Sequence, residues 1–234
     1  MTVNRHTDGP AIVESLSQSI FSRNAEKVFH YSNSCYIQPD LPFAFDALEP
    51  DYPADLLEAH YRLHGRFTCM LNTMREHLWK ARQAKDVAAM HVYSRLMAFI
   101  RSEHILHCLL WYTLEPGGRD VPEYLDRALA KDFGSTEKAM DYFTSYAHAQ
   151  EDRGWMIIGH DASADRLRIF KTGELVNMAF WPVTPLLALD LWEHAYSSKT
   201  GVSRHSWIDR FMRLVNWQFV GRRYLENKRS IVLS

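Results

Sequence analysis

The sequence predicts an α+β fold: a long antiparallel α-helical hairpin on the N-terminal side, then a mixed domain in which helices flank a small, three-stranded antiparallel sheet. Three observations carry this. Residues 54–84 and 86–114 hold a helical period with only a short polar join between them. Two β-rich runs surround the polar turn DASAD at 161–165. The run VTPLLALD (183–190) is apolar and short, as a buried strand is. Helices first and sheet strands together afterwards is an α+β order.

Residues 1–40 are polar and irregular, with one short helix expected at Ala11–Phe21, and read as an extension. LPFAFDALEPDYP (41–53) has three prolines and is a loop. In 54–84 the residues at 56, 57, 60, 63, 64, 67, 71 and 74 form one stripe when histidine is counted as apolar, the mark of an amphipathic helix. Gly65 costs it roughly 1 kcal/mol. The second helix stops at Pro116-Gly117-Gly118, and the pair makes a hairpin. VPEYLDRALAKDF and TEKAMDYFTSYAHAQ are further helices, the second capped by Ser135. GWMIIGH and RLRIFK form a β-hairpin, VTPLLALD a third strand ending at Asp190, and SWIDRFMRLVNWQFVGRRYLEN one closing helix. The division expected is an extension at 1–40, a helical hairpin domain at 41–117 and an α+β metal-binding domain at 118–234.

Composition narrows the function. A net charge of -1 gives no electrostatic pull toward nucleic acid or an anionic membrane. No apolar run reaches the ~20 residues that span a bilayer. Asp8, Glu14 and Glu26 interrupt the N-terminal stretch where a secretory signal needs an apolar core. Three cysteines at no metal-like spacing, an odd count, argue for a reducing, cytoplasmic compartment.

Histidines are numerous, so position has to discriminate among them. His60 shares its stripe with Leu56, Leu63, His64 and Phe67; His107 shares one with Ile100, Glu103, Leu110 and Trp111. Each is compatible with a hydrogen-bonded core histidine. Asp190, ending an apolar strand, is harder to place, because a buried carboxylate needs a charge partner or a metal. His194, four residues on, offers either. Three imidazoles and one carboxylate suit iron, manganese or zinc better than Mg²⁺ or Ca²⁺. The spacings alone do not select these four from the other histidines.

PLLALDLWEHAY resembles the metal-binding stretch of the iron/manganese superoxide dismutase family, close to PLLGIDVWEHAYY. LPFAFDALEP, LLEAHYRLHGRF, HILHCLLW, KDFGSTEKAMDYF, GWMII and VNWQFVGRRY also resemble family segments, so the likeness runs over about residues 41–226. The resemblance implies that His60, His107, Asp190 and His194 bind one iron or manganese ion per subunit. It implies that Trp192 and Trp155 wall the site and that Trp111 lines it. Glu193 would reach the ligand histidine of a second copy, giving a homodimer through Glu193 and His194.

The departures from the family pattern matter as much. The tyrosine eight residues after the first ligand is Thr68, which implies a wider entrance. The tyrosine after WEHAY, which pairs across the dimer with the position of His64, is Ser197. The glutamine that hydrogen-bonds solvent at the metal is Glu103 on the second ligand helix, or Glu174 at the alternative sheet position. An ionised glutamate only accepts, whereas a protonated one mimics the amide. Direct ligation, or a plain ion pair with Arg101 or Arg66, are its other uses. The residues expected to shape catalysis are therefore Glu103, His64, Thr68 and Trp192. The implied activity is superoxide disproportionation to O2 and H2O2; the alternative is an O2-dependent oxidation of an organic co-substrate on the same scaffold. A structural or assembly protein on this fold is a third reading.

Overall fold

A computed structural model describes residues 30–32, 35–173, 183–197 and 202–232. Within them the expected hairpin is present: α1 (Ala54–Ala84) and α2 (Val87–Thr113) pack against each other along their length. The join is tight for local reasons. Lys85 adopts a left-handed conformation that turns its N–H back onto Arg82 O and Ala81 O. Asp86 then caps α2 by accepting from the Ala89 N–H at 3.0 Å. The far end of the hairpin stands in solvent, with Trp79, Val87, Val92 and Leu96 exposed, while α2 is mostly buried from Ile100 to Thr113. That buried half packs on the sheet, and it is the half that carries Glu103 and His107.

Two shorter helices follow, α3 (Glu123–Phe133) and α4 (Thr136–Ala149), the latter capped as expected by Ser135, whose hydroxyl accepts from Lys138 N. The three-stranded antiparallel sheet contains β3 (Trp155–Asp161), β4 (Arg166–Thr172) and β5 (Val183–Asp190), in the order β4-β3-β5. Every residue of β3 is buried, as a central strand covered by helices must be. Register puts Trp155 opposite Asp190 on one side and Thr172 on the other. Pro185, which has no N–H to give, lies on edge strand β5 opposite Gly159, where the ladder shifts register.

Two expectations change, and one falls on residues not described. Residues 30–37 are not wholly irregular: β1 (His30–Ser32) and β2 (Cys35–Ile37) form a small antiparallel pair, and β2 lies on α1. The helix expected at Ala11–Phe21 lies outside the described residues. The single closing helix is two, α5 (Arg204–Leu214) and α6 (Trp217–Val232). The break has a cause. Leu214 O accepts from Glu115 N, Val215 O from Arg119 N, and Asn216 N donates to Thr113 O. Those backbone groups are thereby withdrawn from a continuous helical ladder.

Among the described residues no helix is long and apolar enough to cross a membrane. The approach to the sheet end is made by Gly154, at φ +134, whose carbonyl accepts from Leu191 N at 2.9 Å. A Cβ there would lie 1.9 Å from Thr172 O. Gly154→Ala is therefore expected to lower stability by at least about 2 kcal/mol, from strain and overpacking together, read by urea denaturation. An unchanged midpoint would show that the turn relaxes freely.

Candidate metal centre

The two helices and the sheet end deliver four side chains to one point. α1 supplies His60, α2 supplies His107, the last residue of β5 is Asp190, and the short 3₁₀ turn after it (Glu193–Ala195) supplies His194. Asp190 Oδ2 is 3.0 Å from His194 Nε2, 3.2 Å from His60 Nε2 and 3.8 Å from His107 Nε2. One ligand-type atom from each of the four lies within 4.8 Å of all the others. Two atoms bonded to one first-row ion at about 2.1 Å stand no more than about 4.2 Å apart, and all three measured distances fall inside that limit.

The unused valences point the same way. His60 and His107 are buried, yet neither Nε2 has a hydrogen-bond partner. An orphaned buried ring nitrogen is costly unless something else takes its lone pair. The other nitrogen of each ring is engaged: His107 Nδ1 with the Glu103 carbonyl at 2.7 Å, and His60 Nδ1 with Tyr52 Oη at 2.6 Å. Asp190 is split in the same manner. Its Oδ1 accepts from the Trp192 N–H at 2.8 Å, and its main-chain carbonyl accepts from Trp207 Nε1 at 2.8 Å. Oδ2 is left facing the imidazoles. Donors of this kind, three nitrogens and a single carboxylate oxygen, fit iron or manganese.

Electrostatics keep the donors in the ligating form. Burial lowers His60, and lowers His107 well below the ordinary imidazole value, so both rings are neutral. Burial alone would raise Asp190, but its interactions with His194 and His60 outweigh that and hold the carboxyl well below the usual carboxylate range. Aromatic rings surround the four. Trp111 meets His60 edge-on at 5.0 Å, Trp155 meets His107 edge-on at 4.9 Å, and Trp192 stacks on His194 at 6.0 Å. Phe67 lies 5.5 Å from His107.

Glu103 is buried behind this ring of ligands. Both its oxygens stand 3.2 Å from Trp155 Nε1, and Oε2 is 3.9 Å from His107 Nδ1. Its partners are therefore not Arg101 or Arg66, and it stands apart from the four converging atoms. Burial, with the Asp190 charge behind it, pushes its carboxyl up to about 8. Glu174, the alternative position, lies outside the described residues.

His64 and Thr68 are drawn into a buried hydrogen-bond chain. Trp111 Nε1 donates to His64 Nδ1 at 2.9 Å, which puts the His64 proton on Nε2, from where it reaches His104 Nδ1 at 2.9 Å. Thr68 Oγ1 donates to the His64 carbonyl and lies 3.2 Å from His104 Nδ1. Cys108 Sγ lies 3.7 Å from His104 Nε2. His64, His104 and Cys108 have the spacing of a second metal-holding group, but the Trp111 N–H commits the His64 tautomer to hydrogen bonding. Thr68 is only 6% exposed, and the Tyr36 ring meets His104 edge-on at 5.6 Å. The space expected at Thr68 is thus closed by His104 and the β2 segment. Glu193 is exposed and pairs with Arg153 at 3.4 Å, and the His194 side chain is 25% exposed.

Sequence reasoning missed Tyr52, Trp207 and His104. Tyr52 sits in a proline-rich loop, and Trp207 reaches Asp190 from 17 residues away. Neither has a periodic signature to betray it. His104 and Cys108, at i and i+4 beside the His107 stripe, were the one legible signal.

Residues 35–115 match the model for the iron/manganese superoxide dismutase alpha-hairpin domain, and residues 122–223 match that for the C-terminal domain of the same enzymes. The chain is 31% identical over 191 residues to a superoxide dismutase [Mn] of Nocardia asteroides, covering 81% of this chain and 92% of the relative. It is 33% identical over 192 residues to a superoxide dismutase [Mn] of Corynebacterium diphtheriae, covering 81% and 96%. A probable superoxide dismutase [Fe] of Bacillus subtilis is 30% identical over 198 residues, covering 84% and 70%.

Metal-free protein offers a test of Glu103. Its folded value near 8 lies above the ordinary 4.5, so its contribution to stability is complete below about pH 4.5 and is lost as pH rises through 8. The stability difference between wild type and Glu103→Gln is expected to fall across that window, by at most about 1.4 kcal/mol per pH unit, in denaturant titrations. A flat difference would mean that Glu103 is ionised in the folded chain.

Proposed function

Because the chain belongs to the iron/manganese superoxide dismutase family, we propose that it is a metal-dependent superoxide dismutase, converting superoxide to O2 and H2O2. The observation that carries this reading is the meeting of His60, His107, His194 and Asp190 with two imidazole nitrogens left without partners. An iron or manganese ion held by these four supplies a one-electron cycle between its +3 and +2 states. The protein's share is to fix the donors, exclude water and place a proton.

Each residue has a part. Asp190 contributes one negative charge through Oδ2, while Trp192 N–H and Trp207 Nε1 hold the carboxylate and its main chain still. The Glu103 carbonyl and Tyr52 hold the His107 and His60 rings. Trp111, Trp155, Trp192 and Phe67 form a dry wall, so the small anion meets few competing donors. Glu103, protonated by burial, presents a hydroxyl in place of the family's amide, with Oε2 3.9 Å from His107 Nδ1. His64 orders the far side through Trp111 and His104.

A homodimer through Glu193 and His194 belongs to the same reading, since a ligand histidine one quarter exposed needs a cover that a second copy would supply. Three free cysteines support a cytoplasmic site of action. The second reading, an O2-dependent oxidation of an organic co-substrate, draws on Glu103 alone: a carboxyl where an amide is expected alters the proton and the potential offered at the site.

Metal analysis and a dismutation assay on one sample separate these. Wild type is expected to hold about one iron or manganese ion per chain and to turn over superoxide. Asp190→Ala should fall below about a tenth of the wild-type metal content. Stoichiometric metal with negligible turnover would overturn the dismutase reading in favour of the second. Glu103→Gln is expected to raise dismutation by about tenfold. No rise would remove Glu103 as the residue that sets the redox balance.

A further inference from the structure

We propose that Tyr52 is a positioning residue for the metal, setting the donor strength of His60 through a single hydrogen bond. The inference rests on the reading that His60 is a ligand. Tyr52 is fully buried, in the loop that leads into α1, and its N–H is tied to Leu48 O at 2.9 Å. Its Oη lies 2.6 Å from His60 Nδ1. Its ring lies 4.6 Å from that of Trp207, whose indole N–H holds the Asp190 carbonyl. One aromatic pair therefore braces two of the four donors, one from each half of the chain.

The tautomer follows from the donor geometry. His60 Nε2 is the buried, unpartnered nitrogen beside Asp190 Oδ2. When its lone pair is given to an ion, the ring proton sits on Nδ1, and the atom that accepts it is Tyr52 Oη. His107 solves the same problem differently: its Nδ1 gives its proton to the main-chain carbonyl of Glu103, one turn back on its own helix. A helix carbonyl is supplied by any residue at that place. The Tyr52 oxygen is supplied by one side chain and is removed by deleting one atom. A phenol is also a weaker acceptor than an amide carbonyl, so the two imidazoles are unequal donors, His60 being the poorer.

Tyr52→Phe leaves the His60 Nδ1–H buried without an acceptor. The ring then donates less electron density, which costs the +3 ion more than the +2 ion. Metal affinity is expected to fall 10- to 100-fold, in the range seen when such outer partners are removed. The reduction potential is expected to rise, by about 59 mV for each tenfold greater loss in the +3 state. Chelator competition measures the first and redox titration the second, on wild type, Tyr52→Phe and His60→Ala. Phe143→Leu, a core truncation on α4, serves as the packing control and should leave the potential where it is.

Wild-type affinity and potential in Tyr52→Phe, with His60→Ala weakened, would overturn the role of Tyr52 alone. Equal metal binding in wild type and His60→Ala would overturn the ligand assignment beneath it. Should Tyr52→Phe not fold, 3-fluorotyrosine placed at position 52 keeps the shape and weakens the acceptor oxygen. A smaller rise in potential is then expected, and none would overturn the proposal. A shift of equal size in Phe143→Leu would reduce Tyr52 to a packing residue.

Discussion

A carboxylate without solvent has to be held in place by something, and in this protein nearly everything near the sheet end answers to Asp190. Its desolvation would cost several kcal/mol if left uncompensated. One oxygen is satisfied by a main-chain N–H two residues on, and the other is turned toward three imidazoles from three different elements. The sheet and the helical hairpin are thereby committed to each other at one point. Register decides which residue stands there: with Trp155 opposite Asp190, the strand paired with the one that carries the carboxylate brings the indole that covers His107 and holds Glu103.

Around that point the protein keeps two kinds of polar group apart. The inward Nε2 atoms of His60 and His107 are left without hydrogen bonds, while the outer nitrogens of those two rings and the Asp190 Oδ1 are engaged at 2.6–2.8 Å by Tyr52, the Glu103 carbonyl and the Trp192 N–H. A ring held only by packing has two-fold freedom about its last torsion; one hydrogen bond at the outer nitrogen removes it. The aromatic wall does the remaining work by shutting out water, which strengthens the field of the donors and of whatever charge they hold.

Two of the residues that depart from the family pattern lie on the helical hairpin. Glu103 and Thr68 come from the facing surfaces of α1 and α2, and each has been absorbed into a new set of partners. Thr68 does not open a channel, because His104 and the segment around Tyr36 occupy that side. The same hairpin that supplies two ligands therefore also carries these two changes. Its outer half, where Trp79, Val87, Val92 and Leu96 stand in solvent, is free of that constraint.

Much of this was legible before any coordinates. The helical stripe of 54–84, the cap at Ser135, the turn at 161–165 and the apolar run ending at Asp190 are local properties, fixed by residues within a few positions of each other, and each corresponds to an element of the fold. The four candidate ligands were legible because DLWEHAY and the two helical histidines sit in recognisable segments. The break at Val215–Asn216 was not, because apolar periodicity continues through it and only pairing with residues 113–119 interrupts the ladder. Nor were Tyr52 and Trp207: a hydrogen bond to a ligand from a loop or a distant helix leaves no period and no spacing. The sequence alone determined which groups are able to donate and which segments carry them. Only the tertiary structure decided that Nε2 of His60 and of His107 stays empty, since that depends on how the loop holding Tyr52, the two helices and the end of the sheet come together in space.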